Sequence, residues 1–517
     1  MTPHLPQSRR PAGISAIVLF HAMLARSLAL ALDLLLAPAL AQTPASMQAQ
    51  TAPSSPLDSA HGPAQMTVAQ DHQRLMDLLG ITELRPGVKQ NGTGPDPVNL
   101  DESKANPWPD LPNPLLLNNG KPVTTAKVWW SQRRPEIVEL FDHEYLGRVP
   151  ANAPAVHWRV VSAAPGKEGP YATLAKHLTG HVDNSAYPAL EVNIEGDLTL
   201  PANASPTHPV PIVIEFTFDT YPPASTRPPA ANAPEPPTDP RPSWKQQVIA
   251  KGWGYALLYP KSFQADNGAG LTQGIIGLVN HGQPRQLDAW GALRAWAWGG
   301  SRLMDYLQTD PAVDAKHVAV EGHSRFGKAA LVAMAYDTRF AVAYISSAGA
   351  GGSALARHRF GEQLENIAGT GEYHWMAGNY LKYAALKPKE VTPADLPIDT
   401  HELFALCAPR PVFVGGGSGP VDGKIMDGWA DTEGSFLAEV AAAPVYRMLG
   451  KKGLTGPDGK PVTAYPPIGT AIVFGDLAFR QHTEGHTPAP NFPTFIEFAS
   501  RYMESTPSAK KSIHPGE

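Results

Sequence analysis

The chain has almost no cysteine. Cys407 is the only one in 517 residues, so an intramolecular disulfide framework is excluded. Its setting, Leu403-Phe404-Ala405-Leu406-Cys407-Ala408-Pro409, reads as that of a small buried apolar residue. Charge is also scarce. Charged residues make up 17% of the chain and leave a net charge of −5 with no long basic run, which argues against a nucleic-acid binder. No internal repeat is present, and beyond the N-terminus no stretch is apolar enough to span a bilayer.

What is present is a globular composition, 43% hydrophobic, with 54 prolines concentrated in loops and in the N-terminal region. Arg9 and Arg10 precede an apolar run over 14–36, and Ala39-Leu40-Ala41 offers a small-x-small cleavage site before Gln42. Residues 1–41 are therefore expected to be an export signal peptide, which puts the mature protein in the periplasm or outside the cell, free of the membrane. Arg26 and Asp33 interrupt the run, so a membrane anchor is the alternative. Residues 42–99 read as a linker and N-terminal arm, 100–505 as the catalytic domain, and 506–517 as a C-terminal tail.

Within the domain, residues 131–145 have the helical spacing Ile137, Leu140, Phe141, Tyr145, with Gly147 as a stop. Strands are expected over 157–161, 189–200, 210–218, 252–259, 318–320, 341–346, 411–415 and 470–474. Helices are expected over 71–79, 288–307, 433–449 and 492–503; the second carries Trp290, Trp296 and Trp298, read as core. The proline-dense stretch 221–243 is expected to be a surface loop near the site. Strands alternating with helices predict an α/β fold with a mostly parallel sheet covered on both faces, a three-layer sandwich.

The organising stretch is Val318-Ala319-Val320-Glu321-Gly322-His323-Ser324-Arg325-Phe326-Gly327-Lys328. An apolar strand ends in Gly-His-Ser and a small-residue helix follows, which is the layout of a nucleophile elbow with Ser324 at its apex. The second glycine falls at 327, where the general pattern has it at 326. A serine nucleophile needs a base, and the base needs an acid; in an α/β-hydrolase the chain order is Ser, acid, His. His482 and His486 follow the last expected strand. His486 is preferred, because it comes after a turn-forming glycine and just before the final helix, while His482 reads better as a surface-loop histidine. Asp422, Asp427 and Asp431 all follow the 411–415 strand, at the edge where ligands bind in open α/β sheets.

The stretch Gly322–Lys328 resembles the elbow of the glucuronoyl esterases, carbohydrate esterase family fifteen, in its bacterial form. Arg134–Phe141, Trp290–Gly299, Ala350–Leu355, Gly361-Glu362 and Trp429-Ala430-Asp431 are similar to that family too, and the likeness runs from about 100 to 505. The resemblance implies an α/β-hydrolase that cleaves esters between lignin alcohols and the (4-O-methyl-)glucuronic acid groups of glucuronoxylan, with no metal or cofactor and as a monomer. It implies Ser324 as nucleophile, His486 as base and Arg325 as oxyanion stabiliser. Lys328 and Glu362 would bind the uronate hydroxyls and Trp429 would line the sugar pocket; read from the residues alone, Lys328 is a solvent-facing lysine and Glu362 a helix-surface acid. The family's common form has a glutamate acid where this chain has Ser347, and a serine cannot supply the charge. Some bacterial members are similar in lacking that glutamate and use the aspartate of the later loop, two residues before the tryptophan, which here is Asp427. The competing expectations are an acetyl or general carboxylic esterase on the same fold, and a non-catalytic polysaccharide-binding protein.

Overall fold

Short apolar strands that send alternate side chains to opposite faces need cover on both. In the computed structural model, which describes residues 62–90, 97–222, 241–419 and 425–504, this is how the sheet is built. The expected export signal, most of the proline-dense loop, Asp422 and the C-terminal tail lie outside the described residues. The strands are β1 (Glu83–Leu84), β2 (Val156–Glu168), β3 (Tyr171–Val182), β4 (Asn193–Pro201), β5 (Val210–Phe216), β6 (Gly254–Leu258), β7 (Val313–His323), β8 (Val342–Ser346), β9 (Ala385–Lys387), β10 (Val412–Gly417) and β11 (Leu477–His482). Nine of them form one sheet in the order β11-β10-β8-β7-β5-β6-β4-β3-β2, and β1 pairs with β9 separately. From β11 to β6 every pair is parallel; β6 to β2 is antiparallel.

Alternation along the strands divides the core. Ile212, Ile214, Val318, Val320, Ala343, Ile345, Val412 and Val414 point into the larger cluster, with Trp296, Leu331, Phe404 and Phe436 from the covering helices. Val213, Ala319, Val342, Tyr344 and Phe413 point the other way, onto the helices Trp244–Ala250 and Phe492–Met503. The fold is an α/β-hydrolase, with helices on both faces of a mostly parallel sheet. Trp290, Trp296 and Trp298 are core residues, and Cys407 is buried, its thiol pushed up to about 12 by burial.

Several strands differ from the sequence expectation. The expected strand over 470–474 is the outer arm of a tight reversal through Gly475 and Asp476: Ile472 pairs antiparallel with Phe479, and the sheet strand is β11. β3 is absent from the sequence expectation, and β2 runs far beyond 157–161. From residue 62 the N-terminal arm is packed on the hydrolase body. The helix Val68–Leu79 opens on a Thr67–Gln70 capping box and buries Leu75 and Met76. Asp71 accepts a hydrogen bond from the Tyr373 hydroxyl (3.1 Å), so the arm braces the segment that carries Glu372 and Trp375. Among the described residues no helix is long and apolar enough to cross a membrane.

Candidate active site

The parallel strands place their carboxyl ends along one edge, and the expected site residues lie there. Ser324 sits between β7 and the helix Arg325–Tyr336 with φ 56° and ψ −130°, a conformation that L residues adopt only when the surroundings impose it. Its N–H donates to the Ser346 carbonyl (2.8 Å), which ties the turn to β8. A Cβ at Gly322 would lie 2.1 Å from the Phe326 carbonyl oxygen, so that glycine is required. Gly327 is the second close approach: a Cβ there would lie 2.8 Å from the Ser346 carbonyl oxygen. Phe326 meanwhile packs on Trp296 (5.1 Å) and Phe218 (4.7 Å), which explains why a large residue stands where the general motif has glycine.

His486 follows β11 in a loop that turns at Gly485 (φ 77°). Its Nδ1 lies 2.7 Å from Asp427 Oδ1, leaving Nε2 as the ring nitrogen available to Ser324 in the cavity that both residues line. Asp427 is 1% exposed, and its other oxygen accepts from the Gly417 N–H (2.7 Å) and the Ser347 hydroxyl (2.6 Å). Gly417, which sequence reasoning missed, makes this junction possible: a Cβ there would lie 2.3 Å from the Gly485 carbonyl oxygen and 2.6 Å from the Asp427 Cβ. His323 stacks at a tilt on His486 (4.3 Å). Burial, with the neighbouring His486 and His482, pushes His323 down to about 3, so His486 rests against a neutral ring.

Asp431 caps the helix Thr432–Met448, accepting from the Gly434 N–H (2.8 Å), and also pairs with His358. His482 is not a surface-loop histidine. It is buried at the end of β11, with Nε2 donating to the Thr487 carbonyl (3.0 Å) while Nδ1 accepts from the Glu484 N–H (3.1 Å).

The rest of the cavity, about 390 Å³ in volume, is polar. Lys328, one turn beyond Ser324, is 3% exposed rather than solvent-facing, and Glu362 is 7% exposed. The ammonium donates to Glu362 Oε2 (2.9 Å) and to the Ala350 carbonyl. Glu362 Oε1 accepts from the Trp429 indole N–H (3.2 Å). Arg325 Nη1 donates to Asp266 Oδ2 (2.7 Å), and the guanidinium and the Lys328 ammonium both lie over the Trp375 ring, at 5.2 and 5.4 Å. Burial would raise the Asp266 carboxyl, but hydrogen bonds from His374, Trp375 and Arg325 outweigh it and hold the group well below the usual carboxylate range. Glu372 also lines the cavity. Burial and the Glu362 carboxylate push it well above the usual range, and its Oε2 has no hydrogen-bond partner among the described residues. No motif marks Asp266, Glu372 or Trp375 in the sequence; their proximity to Ser324 is a product of the fold. Among the described residues no cluster of histidine, cysteine or acidic side chains is placed to hold a metal.

Residues 285–450 match the family model described as glucuronyl esterase, fungi. A carbohydrate esterase from an unknown prokaryotic organism is 32% identical over 79% of this chain and 93% of its own length. A 4-O-methyl-glucuronoyl methylesterase from Schizophyllum commune is 28% identical over 66% of this chain and 74% of its own. The solved structure of a glucuronoyl esterase of carbohydrate esterase family 15 from Teredinibacter turnerae superposes with a TM-score of 0.74 at 44% identity, over 84% of this chain and 99% of that one. With a strained serine elbow on an α/β-hydrolase sheet and relatives matched along almost their whole length, the chain belongs to carbohydrate esterase family 15, the glucuronoyl esterases, and is a carboxylic ester hydrolase.

Proposed function

We propose that the protein hydrolyses esters of (4-O-methyl-)glucuronic acid, of the kind that join lignin alcohols to glucuronoxylan, through a Ser324–His486–Asp427 acyl-enzyme mechanism. The observation that carries the substrate class is the buried pair Lys328 and Glu362 with the half-buried Trp429, in the same cavity as Ser324. A lysine–carboxylate pair taken out of water carries a desolvation cost, and at the wall of a cavity its remaining donors and acceptors suit a polyhydroxylated ring. Glu372 lines the same cavity and adds a further carboxyl group to it.

In this reading Ser324 Oγ attacks the uronate carbonyl while His486 Nε2 takes its proton. Asp427 holds the imidazole through Nδ1 and stabilises the imidazolium that forms. Negative charge develops on the carbonyl oxygen. The Arg325 N–H opens its helix and so has no partner within it, and the adjacent guanidinium supplies charge; both stabilise that oxygen. Collapse expels the alcohol, which takes the proton from His486. Water, deprotonated by the same histidine, then releases the uronic acid and restores the serine. The apolar run over 14–36 behind Arg9 and Arg10 supports action outside the cytoplasm, where such polymers are met.

The test compares benzyl glucuronate with acetylated sugars and short acyl nitrophenyl esters, using purified protein. A kcat/KM for the glucuronate ester well above the others is expected. Preference for the acetyl esters would instead assign a general or acetyl esterase, and the absence of turnover on all of them would leave only polysaccharide binding.

A further inference from the structure

The cation beside the nucleophile is not held by its own helix. Arg325 has a long side chain, 39% exposed, and an unrestrained guanidinium in that position would sample many rotamers. What meets it comes from elsewhere in the chain. Asp266 lies beyond β6 and the short helix Pro260–Phe263, 59 residues before Arg325, and its side chain is 13% exposed. One carboxylate oxygen accepts from Arg325 Nη1 at 2.7 Å. The other accepts from His374 Nε2 at 3.0 Å and from the Trp375 indole N–H at 2.8 Å. The Trp375 ring in turn lies under the guanidinium. One carboxylate thus fixes the distance to the guanidinium, and the indole that it orients fixes the guanidinium plane. His374 is buried, which disfavours its charged form, so it binds Asp266 as a neutral N–H donor. Arg325 is then the charged partner of the three.

We propose that Asp266 is a positioning residue for catalysis, aligning the Arg325 guanidinium on the developing oxyanion through the shared contact with His374 and Trp375. The inference rests on the reading of Arg325 as oxyanion stabiliser. It has a distinctive sign. A carboxylate near the oxyanion opposes the charge that forms there, so if Asp266 acted only through its field, removing that charge would raise the rate. If it acts by orientation, removing it lowers the rate, because a donor misplaced from the oxyanion loses most of its effect.

The experiment is a double-mutant cycle on benzyl glucuronate, with kcat normalised to active sites and thermal midpoints recorded for each variant. Arg325→Ala is expected to lower kcat by about 10²- to 10³-fold. Asp266→Asn should lower it at least tenfold without exceeding the Arg325→Ala loss. The double variant should match Arg325→Ala within about threefold, since a residue that works through another has nothing left to position. Asp266→Glu, which keeps the charge but displaces the carboxylate, should fall between parent and Asp266→Asn, and it carries the same cycle if Asp266→Asn does not fold. An Asp266→Asn kcat at or above the parent value, or losses that multiply in the double variant, would overturn the inference. Arg325→Ala with parental kcat would overturn the oxyanion role itself; a slow Arg325→Ala beside a parental Asp266→Asn would overturn the positioning alone.

Discussion

Asp427→Asn is the sharpest test of the proposed triad, because the surroundings decide which way the amide must point. In the parent, one oxygen faces His486 Nδ1 and the other accepts from the Gly417 N–H and the Ser347 hydroxyl. The Gly417 N–H is a backbone donor and cannot reverse. If the asparagine placed its NH₂ there, two donors would meet and a buried N–H would be left unmade, at a cost of about 1–3 kcal/mol. That biases the amide by about 5- to 150-fold toward its oxygen on Gly417 and its NH₂ on His486. An NH₂ donating to Nδ1 forces the ring proton onto Nε2, and that nitrogen can then no longer accept the proton from Ser324. The expected loss is on the order of 10⁴ in kcat, as when the acid is removed from other triads. This corresponds to about 5.5 kcal/mol of transition-state stabilisation. KM should change little, since Asp427 is 1% exposed. Steady-state kinetics on benzyl glucuronate read both values. A kcat within tenfold of the parent, or a larger loss in Asp431→Asn, would refute the reasoning. Ser347→Glu in the Asp427→Asn background should recover part of the rate, because position 347 already reaches the acid.

Lys328→Ala should lower kcat/KM on glucuronate esters by roughly 10- to 150-fold, the worth of a hydrogen bond from a charged group, and on aryl acetates far less; equal losses on both would contradict a sugar-binding role. Asp431→Asn should leave kcat within a few-fold; asparagine keeps the helix cap, and stability falls through the weakened pairing with His358, read from urea midpoints. Ser324→Ala should abolish turnover with an unchanged thermal midpoint, and activity within a few-fold of the parent would remove the serine from the mechanism. The fourth concerns pH. Burial opposes charging His358, but the Asp431 and Glu102 carboxylates outweigh it and raise the group from 6.5 to about 9. A raised folded value means stabilisation that is complete below 6.5 and lost as pH climbs through about 9, with an upper bound of roughly 3 kcal/mol. The stability difference between parent and His358→Gln should therefore shrink across that window, and a difference that grew with pH would reverse the assignment.

The elbow was legible because it is local: a buried strand, a glycine where a side chain has no room, and a helix, all within one stretch. The shift of the second glycine to 327 is visible in the sequence but its cause is not, since what permits Phe326 is its packing on Trp296 and Phe218, which are distant in the chain. Lys328 shows the same limit more sharply. Its sequence position fits a solvated lysine as well as a buried one. Its burial depends on Gly352, where a Cβ would lie 2.5 Å from the Lys328 Cγ, and on Glu362, 34 residues on. β2 escaped notice for most of its length because an exposed edge strand has no alternation to display; its residues are almost all exposed or half-buried. The shift from 470–474 to β11 is an error of register between two apolar arms of one reversal, which periodicity cannot rank.

In the proposed triad, the position of the acid follows from the order of the strands. β7 ends at the Ser324 turn, β8 leads to Ser347, β10 to the loop of Asp427 and β11 to the loop of His486; these four strands are consecutive neighbours and all parallel. Their loops therefore emerge side by side from one edge of the sheet. β8 and β10 stand one interstrand spacing apart, about 4.8 Å, and the Ser347 N–H donates to the Gly415 carbonyl across that gap (2.8 Å). A carboxylate carried on either loop can meet the imidazole from β11. With the charge on the β10 loop, the β8 position has a different task. It must donate to the acid, because a second carboxylate there would repel the first and raise its pKa. The Ser347 hydroxyl, 2.6 Å from Asp427, supplies that donor.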